Sequence, residues 1–397
     1  NKTIYKDIKT VNPGTLIELD LKNHQLLFED FFDFQSSSFS KNINTEEKIS
    51  HTLGEWLKSD VDVAITLSGG IDSTILAILG KKIKPNIKAY SLFLRDPIFK
   101  KWDQSTKTKK LAEKIDIDLT EVQINFEEFG SKLENIISKL DQPFCGSYAP
   151  WFVFKEIAKD RIKVAVTGTG GDELFGNYER GETYKKEFLH NGIVKPEKIL
   201  NKLFNLNGYC PLKNVIKHYN NKIMSGGLLN LIEKRLMFQG NNSELRKIAD
   251  VCSFLELSSE FLYSTDRFSM LNGVEARPVF LDGELRKYVL KNDELCFNKN
   301  IYKETLVKII QKNVKGWIPD KKIGHDLPVS YLMRTSIKTK VLEILSEDLI
   351  NYIGIFNYTE IKDIINNFFN GSNSNVQFIW SLFTLHMWFK THDFKVT

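Results

Sequence analysis

Apolar and polar residues follow two different periods along this chain. In TLIELDL (15–21) and LLFEDFF (26–32) the pattern is that of strands, set around the turn NHQ. Residues 1–35 therefore predict β-rich pieces, and SSSFSKN (36–42) follows as a linker. From about residue 46 the pattern alternates. EKISHTLGEWL, STILAILGKKI, STKTKKLAEKI, FEEFGSKLENIISKL and APWFVFKEIAK carry helical spacing. Between them, VDVAITL, KAYSLFL, LTEVQI and KVAVTG are short apolar runs of strand length. Alternation of this kind predicts an α/β fold, a parallel sheet with helices on both faces. Beyond about residue 180 the spacing is mostly helical and rich in aromatics. The expected divisions are 1–40 (β-rich), 46–182 (the α/β core) and 183–397 (the mostly helical C-terminal region).

Two breaks interrupt the pattern. The first is Leu67-Ser68-Gly69-Gly70-Ile71-Asp72-Ser73, between the strand at 61–67 and the helix after it. In an open α/β sheet, ligands bind beyond the carboxyl ends of the strands. Glycines let the backbone approach an anion, and the helix start offers free N–H groups and a favourable dipole. Ser68 and Ser73 add hydroxyl donors, and Asp72 suits a Mg²⁺ ion that accompanies phosphate. No Lys follows the glycines as in a Walker A loop, and GxGxxG is absent. The same residues also fit a plain strand–turn–helix junction with Asp72 or Ser73 as helix cap. The second break, Thr167-Gly168-Thr169-Gly170-Gly171-Asp172-Glu173, repeats the arrangement. Asp172 is there a second candidate Mg²⁺ contact, or a cap.

Composition narrows the class. The chain has 397 residues, 42% hydrophobic and 26% charged, with a net charge of +5. So small an excess, with Lys and Glu mixed throughout, speaks against nucleic acid as a partner. No stretch approaches the ~20 apolar residues of a membrane span. Cys145, Cys210, Cys252 and Cys296 are widely spaced, as expected of reduced thiols in a cytoplasmic protein. The chain opens on Asn1 without Met or a secretory leader, as a processed product or a piece of a longer protein would.

LSGGIDS resembles the pyrophosphate loop of the PP-loop ATP pyrophosphatases, whose fold is HUP-like. Other segments narrow the resemblance to the asparagine synthetase family. TGTGGDELFGNY (167–178) is similar to that family's SGEGADELFGGY, and STDRFSMLNGVEARPVFLD (264–282) to its DR-SMa-gvE-R-PFLD segment. DQP (141–143), KIGHDLP (322–328) and FIWSLFTLHMWF (378–389) have counterparts in the same order. TIYKDIKTVNPGTLIELD (3–20) resembles the last strands of the family's glutamine amidotransferase domain.

The resemblance implies a reaction and roles. A carboxylate attacks the α-phosphorus of ATP, pyrophosphate leaves, and a nitrogen nucleophile converts the acyl-adenylate into an amide and AMP. Ser68, Gly69, Gly70 and Ser73 would hold the pyrophosphate, and Asp72 and Asp172 would hold Mg²⁺. Lys303, in NIYKETL, would bring a positive charge to the same place; without the resemblance it looks like a surface helix lysine. Leu67, Thr167 and Gly168 would line the AMP side, with Tyr178 and Glu275 facing the cleft. Arg267 and Arg277 are left between substrate contacts and structural ion pairs. The partners implied are a small-molecule or peptide carboxylate and a nitrogen donor: ammonia, glutamine-derived nitrogen or a substrate amine. A separate amidotransferase part is a further candidate.

Three departures qualify this. No cysteine precedes Cys145, so the N-terminal Cys nucleophile of the glutamine-fed enzymes has no counterpart. Thr169 replaces the glutamate that is the family's candidate base, and threonine does not take up a proton at neutral pH. RPVFLD transposes the usual RVPFLD, and Gln104 stands where Glu is usual. Besides asparagine formation, the resemblance therefore admits intramolecular amide formation, as in β-lactam synthetases and lasso-peptide cyclases. It also admits amidation of another carboxylate, and a scaffold without chemistry.

Overall fold

The computed structural model describes residues 3–11, 15–30, 44–95, 97–99, 103, 105–176, 251, 253–292, 303–318 and 327–394. The chain forms two compact units, Asn1–Asn44 and Thr45–Thr397. In the first, β1 (Thr15–Asp20) and β2 (Gln25–Asp30) pair antiparallel, Thr15 opposite Asp30 and Asp20 opposite Gln25. The Asp20 carboxylate accepts from the Lys22 amide at 2.8 Å, and His24 takes positive φ, which closes the turn.

The second unit is built on a parallel sheet. Its strands are β3 (Val63–Thr66), β4 (Lys88–Phe93), β5 (Asp118–Gln123), β6 (Val164–Thr167) and β7 (Glu275–Pro278), ordered β5-β4-β3-β6-β7. Every pairing in it is parallel. α1 (Thr45–Trp56) precedes β3, and between the strands run α2 (Ile71–Ile83), α3 (Ser105–Ile115), α4 (Phe126–Ile137) and α5 (Ala149–Lys159). A short α6 (Gly171–Phe175) follows β6. Ala64, Tyr90, Val122 and Ala165 point to one face of the sheet, while Ile65, Ala89, Val164 and Val166 point to the other. Successive side chains on a strand alternate in this way, so the strands are apolar on both faces and covered on both.

The C-terminal part is mainly helical, as the spacing predicts. A π-helical segment (Ser253–Phe261) leads into α7 (Leu262–Met270), and α8 (Gly283–Lys291) and α9 (Glu304–Asn313) follow β7. The chain then continues through α10 (Val329–Arg334), α11 (Lys338–Ile344), α12 (Glu347–Ile353), α13 (Tyr358–Phe369) and α14 (Val376–Thr391). In α14 the buried Trp388 donates its indole N–H to the Leu140 carbonyl at 2.8 Å. That bond ties the helix to the end of the α4 region. The strand β7 was not visible in the hydropathy pattern. Glu-Ala-Arg-Pro is only four residues long and lacks β-branched and aromatic side chains, and its pairing with β6 is what makes it a strand. Among the described residues no helix is long and apolar enough to cross a membrane.

Candidate active site

Strand order reverses between β3 and β6: from β3 the chain proceeds outward to β4 and β5, then returns to β6 on the other side. Such a switch point opens a crevice beyond the carboxyl ends of the two central strands. Both glycine breaks leave those two ends, so the parallel pairing of β3 with β6 brings them side by side.

The first break keeps its loop through its own hydroxyls. Gly69 has φ +77°, a conformation that favours glycine. The Ser73 hydroxyl donates to the Gly70 carbonyl at 3.2 Å and accepts from the Ser68 amide at 3.0 Å. The two serine hydroxyls are 2.8 Å apart. Helix α2 starts with Gly70 as N-cap and no side-chain cap, so neither Asp72 nor Ser73 caps it. The capping alternative is thereby corrected, and Asp72 is left for another task. The second break works the same way: Gly170, at φ +91°, is the N-cap of α6, and Asp172 is buried in its first turn.

Lys303 joins the two breaks. It is no surface lysine but is 3% exposed, just ahead of α9, a helix that packs on α2. Its Nζ lies 2.5 Å from Asp72 Oδ2 and 3.0 Å from Asp172 Oδ1. Burial alone would depress its ammonium, but Asp172 and Asp72 outweigh that, and the net shift is upward. The group is therefore a cation at neutral pH. Glycine lets the two carboxylates come this close. A Cβ at Gly168 would stand 3.1 Å from Asp72 Cβ, and one at Gly171 would run into the Asp72 carboxylate.

The same geometry tests the fit to Mg²⁺. Two carboxylates already reach one cation, the ammonium of Lys303. Among the described residues no cluster of three or more His, Cys, Asp or Glu could hold a metal. Two carboxylates without a complete protein cage suit an ion that takes its remaining ligands from substrate phosphate and water. The donor set of Asp72 and Asp172 is thus compatible with a Mg²⁺ ion that takes most of its ligands from elsewhere.

Beside the loop is a cavity of about 160 Å³ at the carboxyl ends of β3, β4 and β6. Of the residues expected on the AMP side, Leu67 and Thr167 line it and Gly168 lies next to Asp72; Ser68, expected at the pyrophosphate, lines it too. Leu92, Val153, Phe154 and Thr265 line it as well and were not picked out from the sequence. One signal was present: Ala149 and Val153, like Pro150 and Phe154, are four apart on α5 and so share a face. Three hydroxyls meet at the cavity. Thr167 donates to Thr169 at 3.2 Å, and Thr169 and Thr265 are 3.4 Å apart.

Other expected residues lie elsewhere. Glu275 is not in the crevice. It opens β7, opposite Val164 at the amino end of β6, and is ion-paired to Arg277 at 2.8 Å. Parallel strands put that end on the far side of the sheet from the glycine turns. Arg277 also donates to the Trp56 and Lys58 carbonyls at 2.8 and 2.9 Å, which is a structural role. Arg267 grips Asp141 through Nε at 3.1 Å and Nη2 at 2.9 Å, again an ion pair within the protein. Tyr178, Gln104 and residues 322–326 of KIGHDLP lie outside the described residues.

Known proteins resemble the chain along most of its length. The chain is 26% identical over 390 residues to asparagine synthetase [glutamine-hydrolyzing] 1 of Bacillus subtilis, covering 87% of this chain and 59% of the relative. A putative asparagine synthetase [glutamine-hydrolyzing] of Mycobacterium bovis is 23% identical over 72% of this chain and 48% of its own length. Amidase chry2 of Gibberella zeae is 22% identical over 93% of this chain and 65% of its own length. The chain thus spans between about half and two thirds of these relatives. The asparagine synthase family profile matches residues 44–390, nearly the whole of the second unit, and the chain belongs to that family.

Proposed function

We propose that this chain is an ATP-dependent amide-forming ligase that adenylates a carboxylate, releases pyrophosphate and passes the acyl group to nitrogen. The observation that carries the reading is the buried Lys303 ammonium bridging Asp72 and Asp172 beside a glycine-rich strand end. A carboxylate oxygen of the substrate attacks the α-phosphorus as the bond to the bridging oxygen of the β-phosphate breaks. The electron pair leaves on pyrophosphate. The N-terminus of α2, with the Ser68 and Ser73 hydroxyls, holds that leaving group. Lys303 lies where its charge can follow the pyrophosphate as negative charge builds on it. Mg²⁺ bound to Asp72 and Asp172 would neutralise part of the same charge. The cavity lined by Leu67, Leu92 and Thr167 takes the adenosine side. Nitrogen then attacks the acyl carbon, the acyl C–O bond breaks with its electron pair leaving on AMP, and the nitrogen's excess proton passes to water.

Thr169 supports a second reading of the last step. With hydroxyls from Thr167, Thr169 and Thr265 at the cavity, nitrogen enters as an uncharged amine or ammonia. The hydroxyl at 169, where the family has a carboxylate, supports a carboxylate other than aspartate, or an amine carried on the substrate itself, as a reading beside asparagine formation. The test is pyrophosphate release with Mg-ATP, aspartate and ammonium, with mass spectrometry of the products. Asparagine and AMP would establish aspartate as substrate. Pyrophosphate exchange that needs a different carboxylate would establish the second reading, and no nucleotide binding at all would overturn both.

A further inference from the structure

Helix α7 buries the hydroxyls of Ser264, Thr265 and Ser269 and spends them differently. Ser264 donates to the Phe261 carbonyl at 3.2 Å and Ser269 to the Asp266 carbonyl at 3.0 Å. Such bonds back along the helix are the usual ones for these side chains. The Thr265 hydroxyl instead lies 3.4 Å from that of Thr169, 96 residues away in the chain. Thr169 in turn accepts from Thr167 at 3.2 Å. Each hydroxyl has one proton to give. Thr167 gives its proton to Thr169, and Thr169 and Thr265 share one between them, so one of their two protons is left for a ligand. Contacts of 3.2 and 3.4 Å are longer than the usual O–H···O bond, so a ligand oxygen can draw either hydroxyl away from its neighbour. Leu67, Leu92, Val153 and Phe154 line the same cavity with apolar side chains, and a hydrogen bond to charge is stronger there than in water.

The segment that carries Thr169 runs between the aspartates and the cavity. Gly168 and Gly171 approach Asp72, whereas Thr167 and Thr169 line the cavity. In the ligase reading, on which this inference rests, the α-phosphate joins pyrophosphate at the α2 N-terminus to adenosine in the cavity. An acyl group on that phosphate therefore meets this segment. We propose that the Thr169–Thr265 hydroxyl pair is catalytic and donates a hydrogen bond to the acyl oxygen of the adenylate as nitrogen adds to the acyl carbon. The nitrogen lone pair forms the new C–N bond, and the C=O π pair moves onto oxygen, where the hydroxyls meet it. Collapse restores the carbonyl and breaks the C–O bond to AMP, whose oxygen keeps that electron pair. The excess proton on nitrogen passes to water. Threonine is no base, but this step asks it only for a hydrogen bond. Donors placed where charge develops contribute most in the transition state. A carboxylate at 169 would repel the acyl oxygen as it gains charge, and a hydroxyl attracts it.

The probe is the mixed anhydride of AMP and methylphosphonic acid, which puts a tetrahedral phosphorus with a charged oxygen where the acyl carbon would be. Its affinity and that of AMP are measured by calorimetry on the full chain, and the ratio of the two is the readout. The parent chain is expected to prefer the anhydride by at least about tenfold. Thr265→Val, which keeps the shape and removes the hydroxyl, is expected to lose about tenfold of that preference, and Thr169→Val a similar amount. Thr265→Ser, which keeps the hydroxyl, is expected to retain it. A parent-like ratio in Thr265→Val, or an equal loss in Thr265→Ser, overturns the proposal and leaves the ligase reading standing. A parent chain that binds AMP and the anhydride equally overturns it too. That comparison needs no variant, so it decides even if Thr265→Val fails to fold. A parent chain that binds neither probe overturns the proposal and the ligase reading together.

Discussion

The adjacent strands β6 and β7 carry opposite charges near both ends, in very different surroundings. At the amino end, Glu275 and Arg277 pair at the rim, with the glutamate side chain 58% exposed. Near the carboxyl end, Asp172 shares the Lys303 ammonium with Asp72, and the lysine side chain is 1% exposed. The rim pair is easily built, because water supports the glutamate and the Trp56 and Lys58 carbonyls accept from Arg277, and such pairs contribute about 0–1 kcal/mol. The buried trio gives up that hydration, and apolar residues could fill its place at no loss of stability. A fold that keeps charges at the second end gains something other than stability from them. Strand direction decides which end that is, since all the parallel strands deliver their carboxyl ends to one side of the sheet.

The largest contrast between the ends is expected from removing one carboxylate at each. Asp72→Asn should lower pyrophosphate exchange by about 10²–10³-fold, the loss typical when charge stabilisation of a transition state is removed. Glu275→Gln should leave exchange within about twofold and stability within about 1 kcal/mol. Exchange assays and urea denaturation on both variants measure this. If Glu275→Gln abolished exchange in a folded protein, the assignment of chemistry to the carboxyl end would fail.

A smaller effect is expected from glycines that differ only in what surrounds them. Gly171→Ala drives a methyl into Asp72, whose Cγ would be 2.5 Å away. Overpacking of this kind costs about 1–3 kcal/mol and should displace Asp72, so exchange falls as well. Gly54, inside α1, has open space around its missing Cβ. Gly54→Ala should stabilise the protein by about 0.5–1 kcal/mol and leave exchange unchanged. Equal behaviour of the two variants would show that the close approach at Gly171 has no functional weight.

The ease of reading this molecule from its sequence also differs from region to region. The strands β3 to β6 and helices α1 to α5 declare themselves, because each is a continuous apolar or periodic run. The glycine breaks stand out because nothing in a strand or helix favours adjacent glycines, and the parallel pairing makes them neighbours. Lys303 is different. It is 231 residues from Asp72, and no local pattern separates it from any lysine at the start of a helix. Only the resemblance singled it out. Glu275 shows the opposite failure: it lies in a motif of the family, yet its strand carries it to the wrong end. Thr265 and the α5 face were missed because a cavity lining is a meeting of distant residues. Motif content identifies which residues are candidates, and strand direction with long-range packing decides where they go.

A third ion pair is at least as open to water as the rim pair and gives the finest test. Arg267 holds Asp141 by two hydrogen bonds, with the aspartate side chain 56% exposed. The guanidinium holds the Asp141 carboxyl below its ordinary range, burial opposes this, and the Tyr263 hydroxyl adds to it at 2.8 Å. A carboxyl with a lowered pKa in the folded state binds its proton there later than in the unfolded chain. Its contribution is complete above the unfolded value of about 3.9 and is lost as pH falls through the lower, folded value. Asp141→Asn should therefore be less stable than the parent chain at pH 7 by at most about 1 kcal/mol. The gap should close as pH falls below about 4, the unfolded carboxylate value. Denaturation midpoints of both proteins between neutral and acidic pH measure it. A gap that stays constant would mean that Asp141 acts through shape and not charge, and would remove this pair from the electrostatic series altogether.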